Sequence, residues 1–183
     1  MDIHIECIRD WNDLCGFQCG VPRMDQFIQS QLRLSVMHHY CQLYIVRYGE
    51  EVLALFALSF DSLEMDYEDK TDIVDGMRKR FSDGGFEYRD LFLDKLHYPA
   101  LAIAYLAVNH AYQKMGLGRA IVEMIVERAQ SQTLAGCQFL TVDALVTDPY
   151  NTYTFYSKCG FIPSEYPNSL KDSRRMFRML YTE

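Results

Sequence analysis

One stretch of the chain decides the fold: ALAIAYLAV at residues 100–108, followed by NHAYQKMGLGR at residues 109–119. The first nine residues carry no charge and almost no polarity, which is typical of a strand buried on both faces in the middle of a sheet. Gly116 and Gly118 follow at the threshold of a predicted helix. Glycines at such a turn let several main-chain N–H groups converge, and the helix start adds unpaired donors and a positive dipole end. The pattern predicts an anion-binding nest suited to a diphosphate.

Two other phosphate-binding patterns do not match this turn. No Gly-Lys-Ser or Gly-Lys-Thr follows, which excludes a mononucleotide P-loop, and the third glycine of the dinucleotide fingerprint would fall at Ile121. Lys114 and Arg119 add positive charge near the predicted nest. A plain strand-to-helix turn with a glycine pair is the alternative that this stretch alone leaves open.

The residues on either side of this stretch predict a mixed α/β arrangement. Before it, the patterns predict a strand near residues 3–8, a helix over 25–36, and a hairpin of strands 42–48 and 52–60. After it, they predict a helix over 117–129, a strand over 139–146, a helix over 150–159 ended by Gly160, and a strand over 176–181. This order is typical of a mixed sheet flanked by helices.

Length and charge narrow the class of protein. The chain has 183 residues, a formal net charge of −7 and a pI near 5.2, which predicts a single domain over 1–183 and excludes a globally basic nucleic-acid binder. Seven acidic residues fall within 61–75, and they predict an acidic surface insertion over about 61–98. No apolar run approaches about 18 residues and the N-terminus does not resemble a signal peptide, so we expect a cytoplasmic protein.

The cysteines and histidines do not form a metal-binding pattern. Six cysteines are too few and too scattered for a disulfide scaffold in a chain of this length. The possible ligands do not have the spacing of two Cys-x2-Cys pairs, so no metal site is expected from Cys15, Cys19, His38, His39 and Cys41.

Two motifs resemble the landmarks of the GNAT superfamily of acetyl-CoA-dependent N-acetyltransferases. QKMGLG at residues 113–118 resembles the family's Gln/Arg-x-x-Gly-x-Gly/Ala signature, and FYSKCGF at residues 155–161 is similar to its Phe/Tyr-Tyr-x-x-x-Gly-Phe motif. The resemblance implies the GNAT fold, a mixed and mostly antiparallel twisted sheet with splayed central strands and helices on both faces. It also implies acetyl-CoA as co-substrate and acetyl transfer to a primary amine of an unidentified acceptor.

The same resemblance assigns roles to individual residues. Tyr156 is expected to protonate the departing CoA thiolate, because a phenol with a pKa of about 10 keeps its proton at neutral pH. A main-chain N–H of the central strand, near residues 106–108, would stabilise the oxyanion. The residues expected to bind acetyl-CoA are Leu106, Ala107, Val108, Gln113, Lys114, Met115, Gly116, Leu117, Gly118, Arg119 and Asn151.

The general base is less sharply indicated. Asp143 interrupts an otherwise apolar predicted strand, and a buried carboxylate needs partners or a raised pKa. We predict that it accepts a proton through water or holds the acceptor, with a structural hydrogen-bonding role as the alternative. Glu64 and Asp66 are rival candidates.

A narrower resemblance concerns both ends of the chain. FQCGVP at residues 17–22, DQFI at 25–28 and GFIPS at 160–164 are similar to segments of the GNAT toxins of bacterial toxin–antitoxin pairs. That resemblance implies an aminoacyl-tRNA acceptor and an antitoxin partner. The acidic segment argues against a tRNA surface, although a local basic patch could form from Arg78, Lys79, Arg80, Arg174, Arg175 and Arg178. A non-catalytic acetyl-CoA-binding module is the alternative from another class, and a homodimer is left open.

Overall fold

The computed structural model describes residues 3–80, 88–164 and 172–180, with the side chains of 77–80 outside the description. The strands are β1 (Ile3–Cys7), β2 (Gln42–Tyr48), β3 (Glu51–Glu64), β4 (His97–Val108), β5 (Phe139–Leu145), β6 (Ile162–Pro163) and β7 (Ser173–Met179). The helices are α1 (Pro22–Ser30), α2 (Leu32–Met37), α3 (Tyr67–Arg80), α4 (Arg89–Asp94), α5 (Leu117–Ser131) and α6 (Tyr153–Lys158). None of the helices in these ranges is long and apolar enough to cross a membrane.

The strands pair in the order β1-β2-β3-β4-β5-β7-β6. β2 and β3 form the predicted antiparallel hairpin. β5 and β7 also pair antiparallel, from Phe139 opposite Met179 to Leu145 opposite Ser173. The last strand in the sequence is therefore placed beside β5, and the predicted mixed α/β class is confirmed.

Two element boundaries differ from the sequence prediction. The helix expected over 25–36 is two helices, α1 and α2, which meet at Gln31, where φ is −119° and ψ is −27°. That φ is too extended to continue a regular helix. β3 ends at Glu64 rather than at residue 60, because the buried Leu63 between the exposed Ser62 and Glu64 continues the alternation of a half-buried strand.

The first of two compact units comprises residues 1–60 and 101–133. Leu32, Leu43, Ile45 and Leu55 are fully buried in its core, and Ala107 joins them from β4. α5 buries one face through residues at helical spacing, namely Ile121, Val122, Ile125, Val126 and Ala129. Packing of this kind fixes both the strand and the helix on either side of the glycine-rich turn.

The second unit comprises residues 61–100 and 134–183 and contains the acidic segment. Contrary to the expectation of a surface insertion, this segment supplies core residues, because α3 and α4 each turn apolar side chains inward. The residues buried together are Leu63, Met65, Ile73, Val74, Phe92, Tyr98, Ala100, Phe139 and Phe177. Several of its acids do face solvent, namely Glu64, Asp66, Glu68, Asp72 and Asp75.

Lys70 connects α3 to the C-terminal end of α4. Its side chain is buried, and Nζ donates hydrogen bonds to the carbonyl oxygens of Leu93 at 3.3 Å and Lys95 at 2.5 Å. Nζ also lies 5.9 Å from the centre of the Tyr98 ring. Two carbonyl acceptors and an aromatic face offset the cost of removing an ammonium group from water.

Candidate functional site

The glycine-rich turn lies in the first unit, directly after β4. The chain makes one 3-10 turn at His110–Tyr112 before α5 begins. Asn109 fixes the start of this turn, since its N–H donates to Leu53 O at 2.9 Å and its side-chain oxygen accepts from Ala111 N at 3.1 Å. The turn is therefore anchored to β3 as well as to β4.

The main chain at residues 114–119, called the nest below, has the conformation expected of an anion-binding site. Lys114 and Gly116 are in the left-handed region, with φ of 62° and 86°. The first hydrogen bond of α5 runs from Ala120 N to Gly116 O at 3.0 Å, so the amides of the three residues between them have no acceptor within the helix. α5 carries no acidic residue in its first turn that would neutralise the positive dipole end.

The nest is open enough to receive a ligand. A Cβ built on Gly116 meets no atom within 4 Å, and Lys114, Met115 and Arg119 are exposed. Leu117 and Gly118 are half-buried at the start of the helix. An exposed cluster of main-chain donors beside two cations fits the diphosphate of a coenzyme.

The residues expected to stabilise an oxyanion lie at the end of β4. Ala107 is buried in the core of the first unit, whereas Leu106 and Val108 are half-buried. Alternation along the strand therefore turns Ala107 inward and places its two neighbours on the other face. Which main-chain N–H meets the thioester carbonyl stays a prediction.

Gln113 differs from the sequence expectation in how its side chain is used. Its Nε2 donates to Cys19 O at 2.7 Å and to Val108 O at 3.0 Å. Both hydrogens of the amide group are thereby committed to main-chain carbonyls of this chain. The NH2 group of the side chain therefore holds the turn in place, and contact of Gln113 with the coenzyme stays a prediction.

The second motif forms a short helix in the second unit. Thr152 Oγ1 accepts from Leu145 N at 2.8 Å, and Asn151 Oδ1 accepts from Tyr153 N at 3.0 Å in the first turn of α6. Gly160 follows the helix with φ of 81°, the left-handed residue predicted to end it. Asn151 precedes the N-cap residue Thr152 and stabilises the start of α6, and its contact with acetyl-CoA stays a prediction.

Tyr156 is held rigidly on α6. It is 6% exposed, and its ring packs edge-on against Phe155 and Phe161, with centroid distances of 4.9 and 5.4 Å. Burial raises the pKa of the Tyr156 phenol above its ordinary value of about 10, and the nearby Cys159 thiol adds to this. The hydroxyl therefore carries its proton throughout the physiological pH range.

Asp143 is not the buried carboxylate that the sequence predicted. Its side chain is 42% exposed, and Oδ1 lies 3.5 Å from Arg175 Nη1. The buried polar residue of β5 is Thr141, which donates to Asp61, and Asp61 also pairs with Arg175. The prediction failed because pairing of β5 with β7 places Asp143 directly opposite Arg175, and that pairing is not visible in either strand alone.

The rival bases also have partners. Glu64 Oε1 lies 3.4 Å from His97 Nδ1, and both side chains are exposed. Asp66 Oδ1 accepts from Asp69 N at 2.8 Å in the first turn of α3. Both contacts are of a kind common at strand ends and helix starts, and a role as general base stays a prediction for either carboxylate.

The basic patch suggested by the sequence is partly engaged within the second unit. Arg175 pairs with Asp61 and Asp143, and Arg178 Nη1 donates to Cys159 O at 2.7 Å. The side chains of residues 78–80 lie outside the described part of the chain. Two arginines of β7, Arg175 and Arg178, are therefore engaged in contacts within the second unit.

Cys19 is a structural thiol. It is 5% exposed, and burial, followed by a hydrogen bond with Asp25, raises its pKa to about 11. Within the described ranges, no group of three or more His, Cys, Asp or Glu residues is arranged to hold a metal ion. Asp25 contacts the main chain of the turn at Cys19 and Gly20. The sequence analysis did not select Asp25 as a site residue, and its only sequence signal was its place in the segment that resembles GNAT toxins.

Comparison with known proteins agrees with these features. A family model described as an acetyltransferase (GNAT) domain matches residues 68–163. No curated protein sequence matches the chain.

Solved structures of toxins share the fold. A tyrosine-to-phenylalanine mutant of the toxin AtaT, bound to the C-terminus of the antitoxin AtaR and acetyl-CoA, is 21% identical, with a TM-score of 0.67 over 98% of this chain and 94% of that one. A tyrosine-to-phenylalanine mutant of KacT is 18% identical, with a TM-score of 0.70 over 98% and 96%. AtaT complexed with acetyl-methionyl-tRNAfMet is 21% identical, with a TM-score of 0.66 over 95% and 94%.

Proposed function

Since the chain belongs to the acetyltransferase (GNAT) domain family and acetyl-CoA is its co-substrate, we propose that it transfers the acetyl group to a primary amine, with Tyr156 as general acid. The observation that carries the proposal is the open nest at the start of α5, where three helix amides without helical acceptors lie beside Lys114 and Arg119. The diphosphate of acetyl-CoA is the part of the co-substrate that such donors recognise.

The proposed reaction is a direct displacement. The neutral amine attacks the thioester carbonyl, the new C–N bond forms, and the C–S bond breaks to release the CoA thiolate. A main-chain N–H near residues 106–108 stabilises the oxyanion. The proton lost by the amine leaves through water, for which the exposed Asp143 carboxylate is the proposed relay, and Tyr156 supplies the proton that the thiolate takes up and regains one from water before the next turnover.

The environment of Tyr156 suits a proton donor to sulfur. Removal from water raises the pKa of a phenol, and it raises the pKa of a thiol in the same way because both conjugate bases are anions. Burial of Tyr156 therefore keeps its hydroxyl protonated at neutral pH, available to the departing thiolate. The packed ring also limits the hydroxyl to a narrow range of positions, which general acid catalysis requires.

The test of this role is Tyr156→Phe, with Tyr153→Phe on the same helix as the matched control. We expect Tyr156→Phe to lower kcat by roughly 10²-fold with little change in KM for acetyl-CoA, as for the loss of a general acid. Tyr153→Phe and Asp143→Asn should each cost less than about tenfold. Turnover of Tyr156→Phe equal to wild type would remove this residue from the mechanism.

A second candidate narrows the acceptor to the α-amine of an aminoacyl-tRNA. Its support is the fold similarity, over 95% of this chain, to AtaT complexed with acetyl-methionyl-tRNAfMet, together with the toxin-like segments at both ends of the chain. This acceptor would place the reaction in the cytoplasm and would make the protein a toxin with an antitoxin partner. The engaged arginines of β7 do not favour that strand as the tRNA surface.

One assay separates these candidates. Release of the CoA thiol is monitored with acetyl-CoA and a panel of amines that includes polyamines, lysine peptides and methionyl-tRNA. Turnover with methionyl-tRNA alone supports the toxin activity, and turnover with small amines alone rejects it. Binding of acetyl-CoA without thiol release for any amine would favour the non-catalytic module.

A further inference from the structure

Asp25, in the first turn of α1, accepts hydrogen bonds from two consecutive main-chain amides. Its Oδ1 lies 2.7 Å from Cys19 N, and its Oδ2 lies 3.1 Å from Gly20 N. Hydrogen bonds to an ionised acceptor are shorter and stronger than those between neutral groups. Because both carboxylate oxygens are used, Asp25 restrains two successive peptide groups of the turn at residues 18–20.

The carbonyls of the same two peptide groups are bound by the segment that precedes α5. Gln18 O, in the peptide group of Cys19 N, accepts from His110 N at 3.0 Å. Cys19 O, in the peptide group of Gly20 N, accepts from Gln113 Nε2 at 2.7 Å. The N–H and C=O of a trans peptide group point in opposite directions. Asp25 and the segment at residues 110–113 therefore bind the two peptide groups from opposite sides.

The two sets of hydrogen bonds reinforce each other. An anion bound to the N–H of a peptide group polarises that group, and its carbonyl oxygen becomes a better acceptor. Gly20 suits this turn because its φ of 79° is in the left-handed region, and the turn lies beside His110, since an added Cβ at Gly20 would be in ordinary contact with His110 Cβ at 3.7 Å. Gln113 also binds Val108 O at 3.0 Å, so the turn is tied to the end of β4 immediately before the nest begins.

We propose that Asp25 is a positioning residue for acetyl-CoA binding. It holds the turn at residues 18–20, and the carbonyls of this turn fix His110 and Gln113. These two residues in turn position the amides of the nest. The inference rests on the proposed function, because it takes the nest as the diphosphate site. Asp25 acts through the main chain, since its two oxygens are occupied by Cys19 and Gly20.

The first experiment compares Asp25→Ala with Asp10→Ala. Asp10 is the matched control in the same unit, because its Oδ1 also accepts a main-chain amide, Asn12 N at 2.9 Å, within a local turn. Calorimetry with CoA should show binding weakened by about tenfold or more in Asp25→Ala, the scale expected when a binding loop is misplaced. The amide of His110 should exchange its hydrogen faster in Asp25→Ala only.

Two further variants test the same connection between Asp25 and the nest if Asp25→Ala folds poorly. Asp25→Asn preserves the shape but turns an NH2 group toward a main-chain N–H, so it should weaken CoA binding as Asp25→Ala does. Gln113→Ala removes the tether on the other side of the turn. Because Asp25 and Gln113 act through one connection, the double variant should bind CoA no more weakly than the weaker single variant.

The outcomes distinguish this inference from the proposed function. CoA affinity equal to wild type in both Asp25 variants, unchanged exchange at His110, or multiplicative losses in the double variant would overturn the positioning role. A wild-type protein that fails to bind CoA would instead overturn the proposed function. In that case, exchange at His110 still decides whether Asp25 holds the segment.

Discussion

Replacing Gly116 with alanine separates the backbone strain of the nest from its binding role. Gly116 has φ of 86°, and a Cβ at this position meets nothing within 4 Å. The substitution therefore creates no clash. Its cost is the left-handed conformation alone, about 1–2 kcal/mol for a residue that carries a Cβ. In a chain of this size, 1 kcal/mol corresponds to a change in Tm of about 2–4 °C, so Tm should fall by roughly 2–8 °C.

The effect on CoA binding should be larger than this strain. An alanine at this position relieves part of the strain by rotating the peptide groups on either side, which turns main-chain donors away from a bound diphosphate. One hydrogen bond to a charged group contributes about 1.5–3 kcal/mol. At about 1.4 kcal/mol per factor of ten, Kd for CoA should rise by about 10- to 150-fold.

The control is Gly49→Ala, and the assays are thermal melting and calorimetry with CoA. Gly49 is also left-handed, with φ of 58°, and its Cβ would also meet nothing within 4 Å, but it lies in the β2–β3 hairpin. Both variants should lose Tm to a similar extent, and only Gly116→Ala should lose affinity for CoA. Equal CoA affinity in the two variants would refute the assignment of the nest as the diphosphate site.

Three buried groups give further predictions. Because the role proposed for Tyr156 requires its proton and its pKa lies above the ordinary value, kcat should not fall with rising pH below about pH 10; a fall between pH 8 and 9 in a pH profile would contradict this role. Cys19 has a pKa of about 11, so only about one molecule per thousand should carry its thiolate at pH 8. Mass spectrometry after iodoacetamide treatment should therefore find the exposed Cys7 modified first. Equal labelling of the two cysteines would be inconsistent with the burial of Cys19. Lys70→Met should lower the free energy of unfolding by about 1–3 kcal/mol, because the carbonyls of Leu93 and Lys95 lose a charged donor, and unchanged denaturant melting would contradict the structural role of Lys70.

Features encoded by neighbouring residues could be predicted from the sequence. The left-handed Gly116 and Gly160, the helix starting at Leu117 and the position of Tyr156 on a short helix all depend on patterns within about ten residues. Turn and capping preferences depend on local sterics and local hydrogen bonds. For that reason the two motifs identified both the family and the nest.

Contacts between distant segments were decided only by the tertiary structure. Asp143 lies opposite Arg175, and Gln113 binds the carbonyl of Cys19, 94 residues earlier in the chain. Such partners depend on strand register and on which turn packs beside which, and a shift of one residue would reverse every side chain of a strand. The sequence by itself therefore determined the fold class and the glycine-rich turn that we propose as the diphosphate site, whereas packing decided that Asp143 is exposed and that Asp25 binds the amides of Cys19 and Gly20.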